Sequence, residues 1–511
     1  MSWKDLYELA PQLTASEVRF ERAKRAIGLF LGPICFVVFL LSPPWEHVTP
    51  TGMRTLAVFS LAIVWWITEA IPIPATSLLM LPLLVICGIL PMEKAFSYWA
   101  HWANLFLVGA FIIGHAMHLH GLTRRFSLTL VASRLVGGSP WRLLVLYLIA
   151  DVLLSGVLSN TVTSVLFLSM GLGLLQALKI PAGSSYGMAM FLGIAWATNI
   201  GGVLTPGGTP TNLIAIGLAE PVYRIGYAQW ILGNLPFTVL QMVAMFFVLR
   251  LFLKKEDARY ELPQESIREE LRRMGPLSRG EIYAAVTMVV ALVLWVSPDV
   301  STLLLGKAHP VSAWLNARLN WAVVGLAVAS SLFLMPLDWK TRRFAMTWDE
   351  AVGSIEWGTI ILVAGALAIG EVVGTPEIGL GGFFSNAISS VAGPETSSYL
   401  FLLITITVAT LLTNVTTNVG VISFMGPIAM AVAPGLGLNP VALTATVSIS
   451  SCIAYALPMA NPPCAIVFAS GYVRILPMFI RGMLLSLIGI ILLSVVGYGF
   501  LAWMFTVPGA G

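Results

Sequence analysis

The stretch VLLSGVLSNTVTSVLFLSM, residues 152–170, decides the fold. Two apolar runs flank the polar tripeptide Ser159-Asn160-Thr161. Backbone groups at such an interruption cannot stay unpaired in hydrocarbon, so the segment must face protein or a water-filled cavity. The apolar stretch at about 396–434 is interrupted in the same way. We therefore predict two re-entrant hairpins, at about 141–178 and 396–434, rather than two ordinary crossings.

The composition places the whole chain in a membrane. Of its 511 residues, 58% are hydrophobic and 10% are charged, and the mean hydropathy is +0.88. A soluble domain carries roughly 25% charged residues, so we predict an all-α polytopic membrane protein. The net charge of +4 gives no argument for a nucleic-acid partner. The four cysteines show no Cys-x-x-Cys spacing, so neither a disulfide framework nor a zinc site is indicated.

The apolar runs predict eleven transmembrane helices beside the two hairpins. They lie near 26–42, 54–71, 75–92, 103–121, 184–220, 228–252, 281–297, 320–336, 358–374, 441–472 and 479–505. With a cytoplasmic N-terminus, only five of the 28 basic residues fall on the outer side: Arg54, Lys94, Arg224, Lys307 and Arg318. The other 23 are cytoplasmic, as the positive-inside rule requires. If either hairpin were counted as a full crossing, every later loop with basic residues would lie on the opposite side of the membrane.

The two halves of the chain contain matching segments in the same order. Gly109-Ala110 recurs as Gly365-Ala366, Ser159-Asn160-Thr161 as Thr413-Asn414-Val415, and residues 208–212 as residues 460–464. In the predicted orientation, span 103–121 runs inward and its partner 358–374 runs outward. The chain is therefore predicted to contain an inverted-topology repeat. Inverted repeats with helices broken at corresponding places indicate a secondary transporter with its site at the midplane.

The residues at the hairpin tips and at two further helix breaks are of the types that bind ions. Thr209 precedes Pro210 and Asn461 precedes Pro462, so each pair predicts a helix that starts after a break. With the two hairpin tips, this gives four half-helix N-termini that offer free N–H donors to an anion without a buried Arg or Lys. Unwound carbonyls with hydroxyl and amide oxygens suit a sodium ion. A sodium ion bound beside the anion would balance its charge.

Four motifs resemble one transporter family over nearly the whole chain. They are WWITEAIPIPATSLL (65–79), LSNTVTS (158–164), GGTPTN (207–212) and SCIAYALPMANPPCAIVFASG (451–471). The chain resembles the divalent anion:sodium symporter family, the INDY-type di- and tricarboxylate carriers. The resemblance implies a secondary transporter of a small di- or polyvalent anion, most simply a C4 dicarboxylate. It also implies coupling to Na⁺, a homodimer and an elevator-type mechanism, and it fits a bacterial cell membrane.

The resemblance also implies a division into scaffold and mobile domains. The segments are a cytoplasmic N-terminal segment at 1–25, scaffold helices at 26–140, transport elements at 141–253, a cytoplasmic linker at 254–280, scaffold helices at 281–395 and transport elements at 396–511.

By the same resemblance, particular residues bind ions and substrate. The first sodium site falls on Ser155, Ser159, Asn160 and the backbone near Gly202, and the second on Asn414 with backbone around Thr410 and Ala456. The substrate meets Ser159, Asn160, Thr161, Thr413, Asn414 and Val415, and Thr209, Pro210, Asn461 and Pro462 line the helix breaks.

The second half departs from the family pattern, which leaves an alternative open. Val415 stands in place of Thr, and Ala409, the repeat partner of Ser155, lacks a hydroxyl. A sodium-independent anion exchanger on the same fold, for dicarboxylate, tricarboxylate, sulfate or sulfonate, is therefore the second hypothesis. An enzyme is not indicated, because the chain has no His-Glu-x-x-His motif. Asp151 lies in the first hairpin, where an acid could carry a proton or help to bind a cation. Because the hairpin begins near the cytoplasmic interface, a wet residue without such a role is the favoured expectation.

Overall fold

The computed structural model describes residues 15–177, 180–181, 183–254, 264–384, 386 and 397–506. The predicted N-terminal segment and linker, 1–25 and 254–280, lie partly outside these ranges, as do residue 396 and residues 507–511 of the last predicted segment. Seven described helices are long and apolar enough to cross a membrane, and seven more apolar helices are shorter. Five of these shorter helices belong to the four interrupted segments, where a helix has to stop at a break.

The helices in the first half are α1 (Ala15–Leu41), α2 (Pro50–Thr68), α3 (Ile73–Ile86), α4 (Met92–Ser97), α5 (Trp102–Leu119), α6 (Leu122–Val131), α7 (Pro140–Ser155), α8 (Asn160–Ala177), α9 (Ser185–Gly202), α10 (Pro210–Ala219) and α11 (Tyr227–Leu251).

After α12 (Gln264–Arg273), the second half contains α13 (Arg279–Leu305), α14 (Pro310–Arg318), α15 (Trp321–Ser331), α16 (Trp348–Ser354), α17 (Trp357–Gly374), α18 (Ser398–Thr413), α19 (Asn418–Val432), α20 (Pro440–Ser451), α21 (Pro462–Ala469), α22 (Ile475–Leu492) and α23 (Tyr498–Met504). An antiparallel ribbon of two short strands, β1 (Pro336–Asp338) and β2 (Arg343–Phe344), follows α15. Within the described residues, this ribbon is the only β-structure and the regular elements are otherwise helical. The span predicted at 320–336 is shorter than expected.

The first interrupted stretch folds back on itself. The Tyr147 hydroxyl on α7 donates a hydrogen bond to the carbonyl oxygen of Phe167 on α8, and the two rings lie 5.0 Å apart. Twenty residues of straight helix would separate these positions by about 30 Å. The arms α7 and α8 therefore run side by side in opposite directions, and residues 156–159 form the first tip.

The second interrupted stretch has the same form. Ser398 Oγ at the start of α18 donates to the carbonyl oxygen of Leu436, just beyond α19, over 2.7 Å. A straight helix would hold these two positions about 57 Å apart. Residues 414–417 form the second tip, between the ends of α18 and α19.

Two long apolar segments are each broken into two helices. The span predicted at 184–220 consists of α9 and α10 with residues 203–209 between them, and the span predicted at 441–472 consists of α20 and α21 with residues 452–461 between them. Proline occupies the first helical position after each break, at Pro210 and Pro462. The two predicted breaks are confirmed.

Glycines show how the repeat packs. A Cβ added to Gly109 on α5 would lie 2.5 Å from the backbone of Gly325 on α15. A Cβ added to Gly365 on α17 would lie 2.8 Å from Ser77 on α3. The repeat match between Gly109 and Gly365 is thus borne out, because each residue is the point where its helix approaches a helix of the other half.

The helices pack in two groups. In one group α5 lies against α15 and α17 against α3, while α1 packs on α2. In the other group the first hairpin packs on α9 and α21, and the second hairpin packs on α20 and α10. Each half-helix after a break therefore crosses to the hairpin of the opposite half. We call the first set the outer group and the second, completed by α11, α22 and α23, the hairpin group.

Candidate functional site

An oxygen-rich cluster lies where the first tip meets α9. Ser155 Oγ lies 2.8 Å from Asn160 Oδ1 and 2.7 Å from the carbonyl oxygen of Thr198. A hydroxyl carries one hydrogen, so it can donate to only one of these acceptors. Gly202 lies directly against the same amide, because an added Cβ would be 2.6 Å from Asn160 Oδ1. The cluster has a surplus of acceptor oxygens, which is the environment that a cation needs.

A matching cluster lies at the second tip. Thr413 Oγ1 lies 2.9 Å from Asn418 Oδ1 and 2.5 Å from the carbonyl oxygen of Ser451 on α20. Again a single hydroxyl hydrogen lies near two acceptor oxygens and can be donated to only one of them. Thr413 is fully buried and Asn418 is 8% exposed. The surplus of acceptor oxygens is therefore repeated in the second half of the chain.

The two clusters correct the repeat match at the tips. Ser155 ends α7 and Asn160 begins α8, just as Thr413 ends α18 and Asn418 begins α19. The structural equivalent of Ser159-Asn160-Thr161 is therefore Thr417-Asn418-Val419, four residues beyond the predicted Thr413-Asn414-Val415. The sequence match was wrong because Thr-Asn-Val occurs twice, and the earlier copy ends the first arm. The structural equivalent of Ser155 is therefore Thr413 and not Ala409. Thr413 carries a hydroxyl group like that of Ser155, whereas Ala409 has none.

The predicted second sodium residues come together, but they are already paired with each other. Asn414 Oδ1 accepts from the backbone N–H of Ala456 over 2.9 Å, and Asn414 Nδ2 donates to the carbonyl oxygen of Thr410 over 2.8 Å. These bonds tie the second tip to the break between α20 and α21. Asn414 therefore satisfies buried backbone groups, whereas Asn418 occupies the position equivalent to Asn160.

The two broken helices touch at their breaks. Thr211 Oγ1 on α10 lies 3.4 Å from Cys452 Sγ. Ser448 Oγ on α20 donates to Asn212 Oδ1 over 3.1 Å. The polar groups of both halves thus form one continuous strip through the hairpin group.

Asparagine side chains hold the breaks open. Asn212 Nδ2 lies 3.0 Å from the carbonyl oxygen of Gly202 and 2.7 Å from that of Thr205. Asn461 Nδ2 donates to the carbonyl oxygen of Ala454 over 2.9 Å. These hydrogen bonds satisfy carbonyl oxygens that the breaks leave without a helical partner. A buried carbonyl without a partner would cost free energy. Both unwound loops are therefore defined structures.

The expectation of four free helix N-termini is only partly correct. Thr417 Oγ1 accepts the N–H of Gly420 over 3.1 Å, and Asn461 Oδ1 accepts the N–H of Cys464 over 3.0 Å. Because these N-cap side chains already accept those backbone N–H groups, the groups are not available to an anion. Within the described part of the chain, Thr209 precedes α10 without accepting a side-chain cap hydrogen bond. The N-terminus of α10 is therefore the one of these three that is best able to bind an anion.

The remaining predicted residues lie around this strip. Thr209 and Asn461 are buried, while Thr161, Val415 and Pro462 are exposed. Ser159 points away from the first cluster, because its hydroxyl donates to Glu356 Oε1 over 2.7 Å. Glu356 directly precedes α17 in the outer group. Ser159 is therefore a contact between the two groups in this structure.

Sequence reasoning missed Asn418, Thr198, Cys452 and Glu356. The second Thr-Asn-Val copy, at 417–419, was a visible signal for Asn418, since it directly precedes an apolar run. Thr198 contributes a carbonyl oxygen, and no side-chain pattern reveals that role. Glu356 reaches the tip only through packing of distant segments, 197 residues apart in the chain.

Comparisons with known proteins agree with this architecture. Two solved transporters resemble the fold. The Alcanivorax borkumensis YdaH transporter has a TM-score of 0.50 at 17% identity over 80% of this chain and 87% of its own. Neisseria gonorrhoeae MtrF, described among antimetabolite efflux pumps, has a TM-score of 0.51 at 14% identity over 80% of this chain and 83% of its own. These likenesses and the apolar helices together define a polytopic helical membrane protein.

The family follows from the sequence comparisons. The family model described as the sodium:sulfate symporter transmembrane region matches residues 23–507, and the chain belongs to this family. Two curated relatives are named sodium-dependent dicarboxylate transporter SdcS. The protein from Staphylococcus aureus strain USA300 is 30% identical over 93% of this chain and 91% of its own. The protein from Staphylococcus saprophyticus is 28% identical over 92% and 90%.

Proposed function

We propose that this protein is a sodium-coupled carrier of small dicarboxylates, with C4 dicarboxylates as the preferred substrates. The proposal rests on one observation, the two repeat-related clusters around Ser155 and Thr413. In each cluster a single hydroxyl hydrogen lies near two acceptor oxygens, so one oxygen is left to bind a cation. The printed names of the curated relatives support the same ion and substrate class. Membership of a transporter family supports transport rather than catalysis.

The first sodium ion binds at Ser155, Asn160 and the backbone near Gly202, and Ser159 joins this site when its contact with Glu356 opens. The second ion binds at Thr413 and Asn418, with Ser451 as a carbonyl donor. Asn414, Thr410 and Ala456 support the second site by fixing the tip against the break. Sodium at both sites would satisfy the surplus oxygens and would lower the cost of bringing a dianion into the membrane.

The substrate lies along the strip between the two clusters. Asn160 and Thr161 approach it from the first tip, and Thr209 and Pro210 present the uncapped start of α10 to a carboxylate. From the second half it meets Asn418 and the edges of the break, at Asn461 and Pro462. Thr413 and Val415 flank this position. Peptide dipoles and sodium ions thus provide the positive potential without a basic side chain.

Unequal repeat contacts support an elevator-type movement of the hairpin group. Leu158 in the first tip packs against Gly114 on α5. Gly370 on α17 lies five residues after Gly365, as Gly114 lies five residues after Gly109, and it packs instead against Leu218 on α10 and against Pro427, halfway along the second hairpin. Pro427 lies about 15 Å along the arm from the second tip. This difference supports a displacement of the hairpin group along the outer group in one direction.

The predicted orientation gives that direction. The Thr416 hydroxyl in the second tip donates to the carbonyl oxygen of Trp66 over 3.0 Å, near the end of α2 that is predicted to be cytoplasmic. Ser159 in the first tip meets Glu356 at the start of α17, which is also predicted to be cytoplasmic. These two contacts support an inward-facing state of a carrier with a cytoplasmic N-terminus. A homodimer in a bacterial cell membrane completes the proposal.

Uptake into proteoliposomes tests the function. Purified protein is reconstituted, and uptake of radiolabelled succinate is measured with an inward sodium gradient and with choline in place of sodium. We expect accumulation only with sodium, and stronger competition by unlabelled C4 dicarboxylates than by citrate or sulfate. Equal uptake in choline that is stimulated by internal anion would instead establish a sodium-independent exchanger.

A further inference from the structure

A buried carboxylate lies one helical turn before the first cluster. Asp151 on α7 is 0% exposed, although its sequence position predicted a wet residue near the interface. Asp151 Oδ1 accepts a hydrogen bond from Thr198 Oγ1 over 3.0 Å. Asp151 Oδ2 is buried without a hydrogen-bond partner. Within the described residues, no basic side chain is paired with this carboxylate.

Two hydroxyl groups extend from the bonded oxygen of this carboxylate, first that of Thr198 and then that of Ser164. Ser164 Oγ on α8 lies 3.3 Å from Thr198 Oγ1 and 2.8 Å from the carbonyl oxygen of Asn160. Thr198 and Ser164 are both fully buried. The carboxylate therefore joins a set of oxygens contributed by three helices, α7, α8 and α9. An isolated buried charge costs many kcal/mol, so an ionised Asp151 needs a cation beside it.

We propose that Asp151, Thr198 and Ser164 form a further sodium site, which adjoins the first tip site and shares Thr198 with it. This inference rests on the proposed sodium-coupled transport. The site is built on the elements of the hairpin group alone, so an ion bound there moves together with the substrate. Its carboxylate charge distinguishes it from the tip clusters, which contain only neutral oxygens. One more sodium ion is therefore carried with each anion than the tip sites alone provide.

Reversal-potential measurements on the full-length protein in proteoliposomes test the site. Labelled succinate is present on both sides, a sodium gradient is set, and the potassium-valinomycin potential at which net flux vanishes gives the number of sodium ions and charges per succinate. This stoichiometry is thermodynamic, so a variant that merely slows transport leaves it unchanged. Asp151→Asn is expected to carry one sodium ion fewer per succinate than the wild type.

The control is Asp299→Asn. Asp299 also lies in an apolar helix, but its Oδ2 accepts the backbone N–H of Ala228 over 2.6 Å and so caps α11. The stoichiometry of this variant is expected to equal that of the wild type. An unchanged stoichiometry in Asp151→Asn would overturn the proposed site while leaving sodium-dependent uptake established. Loss of one charge without loss of a sodium ion would also overturn it, in favour of a proton.

A second variant tests the same site if Asp151→Asn expresses poorly. Ser164→Ala removes one neutral oxygen and keeps the carboxylate, so the fold is expected to tolerate it. Equilibrium binding of ²²Na⁺ to the purified variant should show one class of sites with weaker affinity and the remaining sites unchanged. Wild-type affinity at every site in this variant would contradict the proposal. If the wild type takes up no succinate with sodium, the proposed function itself fails.

Discussion

At the scale of single residues, Gly202 decides whether the first cluster can form. A side chain at this position would need the space that Asn160 occupies, since the added Cβ would lie 2.6 Å from Oδ1 and 2.9 Å from Nδ2. Such distances are shorter than van der Waals contact, so the amide would have to rotate away from Ser155. Small size is required here by close approach, because the backbone of Gly202 is helical.

Gly202→Ala should therefore weaken sodium coupling. We expect a rise of roughly 5- to 150-fold in the half-saturating sodium concentration, which corresponds to losing one buried polar interaction of about 1–3 kcal/mol. Sodium titration of succinate uptake measures the change. Gly173→Ala on α8 is the matched control, because an added Cβ meets nothing within 4 Å there. Equal sodium dependence in both variants would refute the assignment.

Asn414 and Asn418 should respond differently to truncation. Asn418→Ala removes an oxygen of the second cluster and should raise the half-saturating sodium concentration as Asn160→Ala does. Asn414→Ala leaves the buried N–H of Ala456 without its acceptor, so we expect about 1–3 kcal/mol lower stability. Thermal unfolding and sodium titration of both variants separate these roles. If Asn414→Ala instead reproduces the Asn160→Ala phenotype at normal stability, the original repeat match was the functional one.

At the scale of elements, the repeat is a packing rule as well as a sequence pattern. The pairs α5 with α15 and α3 with α17 approach so closely that Gly109 and Gly365 have no room for a Cβ. Close approach through small residues is the usual way in which helices associate in lipid, because lipid tails remove the hydrophobic advantage of contact between large side chains. The outer group therefore depends on two equivalent contacts.

Gly109→Ala and Gly365→Ala should each destabilise the outer group. We expect a cost of about 1–3 kcal/mol per substitution, because the added methyl group forces apart two backbones. Gly374→Ala at the end of α17 is the control, since its Cβ would meet nothing within 4 Å. Thermal unfolding in detergent provides the readout. A variant at Gly109 or Gly365 as stable as the control would show that the helices can separate without cost.

At the scale of the whole molecule, the proposed elevator movement requires the contact between the two groups to break. Ser159 and Glu356 join the first tip to the outer group with an Oγ to Oε1 distance of 2.7 Å. They belong to segments that are far apart in the sequence. A rigid link between them should hold the carrier in the proposed inward-facing state.

The variant with Ser159→Cys and Glu356→Cys tests this movement. Treatment with a short bifunctional thiol reagent should abolish succinate uptake, and a reducing agent should restore it if the reagent bridges through disulfides. Each single substitution under the same treatment controls for the native cysteines, of which Cys35 and Cys87 are partly exposed. A cross-linked protein that still transports would exclude relative motion of these groups.

The sequence alone determined the membrane environment, the two hairpins' positions and both helix breaks. These features are local, because apolar runs, a polar tripeptide and Thr-Pro or Asn-Pro pairs act over a few residues. It also gave the family and the residues of the first cluster, Ser155 and Asn160, through a motif at the tip.

Only the tertiary structure decided which Thr-Asn-Val copy is the second tip, that Glu356 meets Ser159, and that Asp151 is buried. Each of these depends on contacts between segments distant in the chain, such as Thr413 with Ser451 and Asp151 with Thr198. Hydropathy reports how a residue partitions between water and lipid, but not which distant backbone carbonyl comes to lie beside it. Packing of the two halves against each other supplies that information.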